Sequence, residues 1–439
     1  MSRVRRVSVL VLSWNGRRHL EECLPALRDQ QSPGCEHETL VLDNGSTDGT
    51  GAWVRETHPE VRLLESRVNL GFCAGNNRLA DEASGDALVF LNNDTRPRRD
   101  WLAALTAALD DAPEDVAAVS GLIVDWQGER LDFASGIMTF DGHAFQMDQG
   151  RPLAEAELPA AGSEMLFACG GNMIIRRRSF LDAGGFDPDY FAYLEDVDLG
   201  WRLWSGGERV LFTPEAVVHH RSMATSQELG VFNRGFLFER NAFLTAYKNY
   251  QDGWWEKLMP AVLLTLVHRT QTLLVENNLG TEILALDPYA GMLANTATGK
   301  PPVLRRAPAP AAESLSEKWR RYGGRDLLCR GLRKAVRSIL PSFILDDGSS
   351  HVPRLVDERT IAQFRAIHHL LANLDGAAAS RRRVQARRKR GDRDIFERFP
   401  LALVPTYPGD EDLFDGPAFA SWLDEELPIR RLELDDVLG

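Results

Sequence analysis

The sequence predicts an α/β fold, and three observations carry the prediction. Short β-rich apolar runs alternate with helical patterns from Arg6 to about Leu211, polar turn-forming clusters follow three of those runs, and after Glu239 long helical patterns take over without strand signals. The runs Val7–Leu12, Glu38–Leu42, Val61–Glu65, Ala87–Leu91 and Ala117–Val124 read as strands. Between them, Leu20–Asp29, Thr50–Thr57, Asn76–Ala83 and Asp100–Asp110 carry helical spacing. Asp100 stands as the N-cap of the last, with Asn15/Gly16 and Ser46 at similar strand-to-helix turns. In an open sheet of this kind ligands bind beyond the carboxyl ends of the strands, so the residues just after each run are the ones to search.

A domain boundary is expected near residue 240. Beyond it, 241–300 reads as a helical extension, 301–313 as a Pro/Ala-rich linker, 314–400 as helical and basic, and 401–439 as an acidic tail. The chain has 439 residues, 44% hydrophobic and 26% charged, with a net charge of −12. That charge excludes a dedicated nucleic-acid binder. It is unevenly spread, because the last forty residues hold ten acids and only Arg430 and Arg431 as bases. Five widely spaced cysteines, Cys23, Cys35, Cys73, Cys169 and Cys329, suggest neither a disulfide framework nor a zinc knuckle. The apolar run Val7 to Leu12 is too short for a signal peptide. Leu258 to Val267 is too short to span a bilayer and contains Pro260. A cytoplasmic location is therefore expected.

The three clusters are Ser13-Trp14-Asn15-Gly16, Asp43 to Thr50, and Asn92-Asn93-Asp94-Thr95. Each alone is ordinary turn chemistry. At the same end of one sheet they suggest more: an acid after the second strand can hold a ribose hydroxyl or base edge, and an acid at the tip of the fourth can hold a divalent cation that bridges phosphates. Neither G-x-G-x-x-G after the first strand nor a P-loop motif occurs. The Asn69 to Asn77 loop remains, opening a helix whose free N–H groups could receive a pyrophosphate. Further on, Glu195-Asp196-Val197-Asp198 crowds three carboxylates into four residues, which raises the pKa of one member and suits a general base; the plainer reading is an acidic helix N-terminus. His219-His220 close the last apolar run, and with Asp94 could complete a metal site.

In their order and spacing, Val9 to Asn15, Val41 to Thr50, Asn69-Leu70-Gly71-Phe72, Leu91 to Asp94, Gly185-Phe186-Asp187 and Glu195 to Leu199 resemble glycosyltransferase family 2, in its rhamnosyl- and galactofuranosyl-transferase-like branch. The resemblance covers roughly residues 6–250. It implies a GT-A fold, a Rossmann-like mixed sheet flanked by helices, as a catalytic domain over 1–240 with nucleotide-sugar binding about 6–124 and the acceptor side about 125–240. It also implies inversion at the anomeric carbon, a UDP- or dTDP-linked sugar donor, a divalent cation (Mg²⁺ or Mn²⁺), and a glycan or lipid-linked acceptor in cell-surface polysaccharide synthesis.

Carried over residue by residue, Asp196 is the catalytic base, with Glu195 and Asp198 supporting it by orienting it or by binding acceptor hydroxyls. Ser13, Asn15, Asp43, Asn69, Gly71, Asn77 and Asn93 border the donor nucleotide. Asp94 and His219, with His220 as the alternative, hold the metal; Asn92 replaces the first acid of the family's Asp-x-Asp motif. A sugar nucleotidyltransferase would need a glycine-rich, basic loop after the first strand, which is missing. A non-catalytic nucleotide-sugar-binding scaffold is the remaining alternative. Trp254-Trp255 and Leu263 to Leu274 could form a membrane-interfacial helix or a packed one, and the basic groups Lys318 to Arg321 and Arg381 to Arg390 could meet anionic lipid or face water.

Overall fold

A computed structural model describes residues 4–221, 230–277, 357–407, 409–420, 423 and 429–437. The expected linker at 301–313 and the basic cluster Lys318 to Arg321 lie outside the described residues. The first half runs β1 (Arg6–Ser13), α1 (Arg17–Arg28), β2 (Glu36–Asn44), α2 (Thr50–Thr57), β3 (Arg62–Ser66), α3 (Gly71–Glu82), β4 (Ala87–Asn92), β5 (Thr95–Pro97), α4 (Trp101–Asp111) and β6 (Val116–Asp125). All five expected strands and four expected helices are among them. Then come β7 (Leu131–Phe133), β8 (Gly136–Met138), β9 (Ala144–Gln146), β10 (Asn172–Arg176), α5 (Arg177–Ala183), α6 (Glu195–Ser205) and β11 (Arg209–His220).

The main sheet follows the order β3-β2-β1-β4-β10-β6-β11-β5, with β7 paired to β6. The β3, β2, β1 and β4 strands are mutually parallel, β10 enters antiparallel between β4 and β6, and β11 lies parallel to β6. Helices cover the central strands, so these read as nearly unbroken apolar runs; Val7, Val9, Leu10 and Val11 of β1 are all buried. The α1 helix supplies its apolar stripe at Leu20, Cys23, Leu24 and Leu27. Asp100 does occupy the N-cap of α4, but its carboxylate forms no cap bond and takes Arg98 instead, at 2.8 and 3.1 Å. The N-cap of α2 is Gly49 rather than Ser46.

The boundary expected near residue 240 falls inside a helix. Helix α7 (Gly230–Asn249) continues through it, and Ala242, Leu244 and Ala246 belong to the same hydrophobic core as the sheet. That core also takes Leu258 and Val262 of α8 (Asp252–Asn277), Leu370 of α9 (Asp357–Ala372), Ala377 of α10 (Leu374–Ala386), and Ile395 and Phe396 of α11 (Asp392–Arg398). The small pair β12 (Leu401–Leu403) and β13 (Ile429–Arg431) adds Leu401 and Leu403. Trp254 packs edge-on against Phe396, and Trp255 against Phe243 and Tyr247, so this aromatic pair is spent on packing. No described helix is long and apolar enough to cross a membrane.

The basic run is divided in the same way. Arg390 donates to the carbonyls of Trp204, Gly207 and Glu208 at the end of α6; Arg388 to Asn249 O; Arg381 to Tyr247 O. These carbonyls sit at or just beyond helix C-termini, whose negative end favours a cation. Arg382, Arg383, Arg387 and Lys389 are the exposed members.

A buried ionic cluster fastens the C-terminal elements. Arg269 of α8 holds Asp410 at 2.9 Å and Asp141 at 3.0 Å; His143 lies 3.1 Å from Asp141 and 3.4 Å from Glu239. Burial opposes the charge on His143, yet the two carboxylates beside it raise its pKa to about 9. Asp410, one of the ten tail acids, is thus a core group with no exposure. Arg269→Met leaves two buried carboxylates without their cation and is expected to destabilise the chain by about 3–5 kcal/mol. Urea unfolding measures this, and limited proteolysis should cut near residue 410 first.

Candidate active site

Three clusters meet at the carboxyl ends of β1, β2 and β4. Asn93 Nδ2 donates to Ser13 Oγ at 3.0 Å, joining the first cluster to the third. Asn15, at φ 49°, receives Thr47 N on its side-chain oxygen at 2.8 Å, while its own N–H donates to Ser46 Oγ at 2.8 Å. Asp43 accepts Ser46 N at 2.9 Å, and its other oxygen crowds the space where a Cβ on Gly51 would stand. Gly51 therefore opens the α2 N-terminus to this carboxylate. Ser13, Asn15, Asp43 and Asn93 form one polar rim.

Three residues expected beside the donor do other work. Asn69 Oδ1 accepts both Asn44 Nδ2 (2.9 Å) and Gly71 N (2.8 Å), which closes the turn. Gly71, at φ 78°, lies against the Phe191 ring, where any Cβ would meet ring atoms at 2.5 Å. The N–H groups of Phe72 and Cys73 at the start of α3 both donate to Phe191 O, at 2.7 and 3.1 Å. The expected pyrophosphate cradle is therefore filled by the protein itself. Asn77 clamps Phe186, accepting its N–H at 2.9 Å and donating to its C=O at 2.7 Å. These residues brace the loop carrying Gly185-Phe186-Asp187 and the turn before α6.

Asp94, 6% exposed, sits at the tip between β4 and β5. The histidine beside it is the alternative, His220, whose Nε2 lies 3.3 Å from Asp94 Oδ1. Successive residues of β11 face opposite ways. His219 accordingly packs toward Gly128, and burial and Arg96 lower its pKa. His220 Nδ1 donates to Asp132 Oδ2 at 2.6 Å. Although burial opposes protonation, Asp132 and Asp94 raise His220 to about 10. Asp94 and His220 would hold a divalent cation, a carboxylate oxygen with an imidazole nitrogen being a donor set that Mg²⁺ or Mn²⁺ accepts. Among the described residues no third His, Cys, Asp or Glu completes a cluster. Phosphate and water oxygens would have to fill the remaining positions.

The three acids at the start of α6 have separate fates. Asp196 is half-buried; its Oδ2 accepts Gly170 N at 3.1 Å and its Oδ1 accepts Val197 N at 2.9 Å. Gly171, next to Gly170, packs against Asn92, where a Cβ would meet the Asn92 amide at 2.7 Å. Asp196 is thus linked through Gly170-Gly171 to Asn92, the first residue of the Asn92-Asn93-Asp94 tip. Burial, then the neighbouring Asp196 carboxylate, pushes Glu195 well above the ordinary range, and burial raises Asp196. Glu195 Oε2 is buried with no hydrogen-bond partner. The pair titrates as a unit, the inner member keeping its proton longer. Asp198 is fully buried between Arg202 (2.9 Å), Lys248 (3.1 Å) and Asn249 (3.0 Å), which hold its pKa low despite burial. It ties α6 to α7 and cannot touch an acceptor.

Sequence reasoning missed three contributors. Asp132 lies in a short apolar run, Leu131-Asp132-Phe133, and an acid alternating with apolar residues was its signal. Gly170-Gly171 lacks a strand signal. Arg240 and Asn241 interrupt an apolar helical pattern, and both donate to the backbone of the turn before α6.

Residues 8–183 match the model for glycosyl transferase family 2. An N-acetylglucosaminyl-diphospho-decaprenol L-rhamnosyltransferase of Mycobacterium tuberculosis is 29% identical over 270 residues, 56% of this chain and 85% of that protein. Glycosyltransferase AglE of Haloferax volcanii is 25% identical over 217 residues, 49% of this chain and 66% of that protein. A solved structure, the mannosyltransferase PcManGT from Pyrobaculum calidifontis with GDP-Man and Mn²⁺, aligns with a TM-score of 0.43 at 20% identity, covering 85% of this chain and 88% of that one.

Proposed function

From a chain whose residues 8–183 form a family 2 glycosyltransferase domain, and which is therefore a glycosyltransferase using a nucleotide-sugar donor, we propose an inverting, metal-assisted transferase. It moves a sugar from a UDP- or dTDP-linked donor to a hydroxyl of a glycan or lipid-linked acceptor. The observation that carries the reading is the placement of Asp196, a carboxylate of raised pKa, linked through Gly170-Gly171 to the same tip that bears Asp94. Inversion needs one in-line displacement, and one carboxylate suffices to take the acceptor proton on the face opposite the leaving diphosphate. Ser13, Asn15, Asp43 and Asn93 would receive the nucleoside. A bound Mg²⁺ or Mn²⁺, held by Asp94 and His220, would neutralise charge on the departing diphosphate.

The acceptor class is supported by the rhamnosyltransferase relative, whose name specifies an N-acetylglucosaminyl-diphospho-decaprenol. An acceptor of that kind lies at a membrane, in keeping with cell-surface polysaccharide synthesis, and exposed Arg382, Arg383, Arg387 and Lys389 offer a surface for anionic headgroups at about 1 kcal/mol each. Flotation with anionic vesicles should use these four. Neutralising Arg388 or Arg390 would strip helix ends of their caps and confuse binding with unfolding.

Thermal shift with UDP, dTDP and GDP, each with and without Mn²⁺, tests the proposal. A Mn²⁺-dependent stabilisation is expected with one or more of them. Stabilisation equal with and without Mn²⁺ would remove the metal from the reading, and none with any nucleotide would remove the donor site.

A further inference from the structure

We infer that Asp132 is a positioning residue for the cation site: hydrogen-bonded to His220 Nδ1, it turns Nε2 toward Asp94 and so prepares the imidazole to ligate. The inference rests on the reading of Asp94 and His220 as the metal-holding pair.

The three side chains come from three elements, the β4–β5 turn, β7 and the end of β11, and meet below the strand ends. The pairing of β7 with β6 joins Leu131 to Val124 and Phe133 to Ile123, with a register shift at Asp132 between them. A bulge of this kind re-aims a side chain. Leu131 and Phe133 on either side are buried core residues, and Asp132 itself is 5% exposed.

A carboxylate so placed is costly unless its oxygens are bonded. Here Oδ2 takes the His220 Nδ1–H at 2.6 Å, and Oδ1 takes Gln149 Nε2 at 3.2 Å. Gln149, Asp132, His220 and Asp94 thus form a continuous chain from the turn after β9 to the tip.

The chemistry follows from the imidazole. A neutral ring carries one N–H and one lone pair, and the hydrogen bond made by one nitrogen decides what the other offers. With Asp132 holding Nδ1–H, Nε2, the nitrogen facing Asp94, is the one left to give up its proton and ligate when a cation binds. A carboxylate on the far nitrogen also raises ligand basicity and fixes ring orientation, and its loss typically lowers metal affinity about 10–100-fold. A charge-neutral amide at 132 would offer either its oxygen or its NH₂ to Nδ1. The second choice forces the proton onto Nε2 and blocks ligation.

The test follows Mn²⁺ binding by EPR with UDP present, in wild type and Asp132→Asn. The expected result is about 10–100-fold weaker Mn²⁺ binding in the variant, with loss of the ¹⁴N coupling that a ligated imidazole gives in pulsed EPR. A purely structural role would lower the metal-free melting temperature without removing that coupling. Gln149→Leu, which spares the Asp132–His220 bond, serves as the milder second variant and is expected to weaken Mn²⁺ binding several-fold. Wild-type affinity and undiminished ¹⁴N coupling in both variants would overturn the role of Asp132. Wild-type protein that binds Mn²⁺ without ¹⁴N coupling would remove His220 from the site, and wild-type protein that binds none would sink the metal reading itself.

Discussion

Asp196→Asn is expected to lower kcat by about 10²–10⁴-fold, the range a positioned general base contributes. Nucleotide affinity, read by calorimetry, should stay near the wild-type value, because the polar rim of Ser13, Asn15, Asp43 and Asn93 is untouched. The carboxylate is suited to its place by having two acceptors for two donors, Gly170 N and Val197 N. An amide satisfies one and turns its NH₂ against the other, so a small local shift accompanies loss of the base. Asp196→Ser, which removes the carboxylate without that clash, should be equally inactive. The pH profile supplies a second readout. Burial raises Asp196 above the ordinary carboxylate range, and a base must be unprotonated to act. Activity should therefore be present above that raised pKa and lost as pH falls through it. Substantial turnover in both variants would remove Asp196 from the mechanism.

What the sequence made legible was whatever local pattern determines. The central strands carry nearly unbroken apolar runs because both faces of the sheet are covered there, and turn residues marked the strand ends. β11 was read only at its last residues because Pro214 and Glu215 interrupt it, where the pairing with β6 shifts register between Thr213 and Val217. The site was legible as a set of residue types and less so as a set of roles. Asn69 and Asn77 are the right residues to grip a ligand, but their amides meet partners 25 and 109 residues away, which no local pattern announces. The choice between His219 and His220 turned on strand facing alone. The basic run looked like one surface, yet half of it caps helices that end nearby only in the fold. The tail charge looked uniform, yet Asp410 is buried on Arg269.

Asn241→Ala is expected to be the change most damaging to catalysis outside the acids themselves. The turn entering α6 holds Phe191, Tyr193 and Leu194 at φ 62°, 71° and 63°, a left-handed conformation that costs non-glycine residues of order 1–3 kcal/mol each. Something must hold it. Asn241 is fully buried and donates to Tyr190 O, Ala192 O and Tyr193 O at 3.1, 2.8 and 2.7 Å, while Arg240 donates to Asp189 O and Tyr190 O at 2.7 and 2.8 Å. Alanine takes a donor from the Ala192 and Tyr193 carbonyls, while Tyr190 O keeps Arg240, and it releases the strained segment one residue before Glu195. Leaving a buried group unsatisfied costs about 1–3 kcal/mol, so urea unfolding should register at least that loss. The catalytic effect should be larger than the stability effect. A displacement of about 1 Å at a reacting group costs about 10²-fold in rate, and Asp196 is the second residue of the helix that this turn aims. A fall in kcat of about 10²-fold with nucleotide affinity retained is therefore expected, since the carbonyls that Asn241 holds belong to the turn before α6 and none to the polar rim. Nucleotide affinity falling in step with kcat would instead mean that α7 holds the whole domain and not the turn.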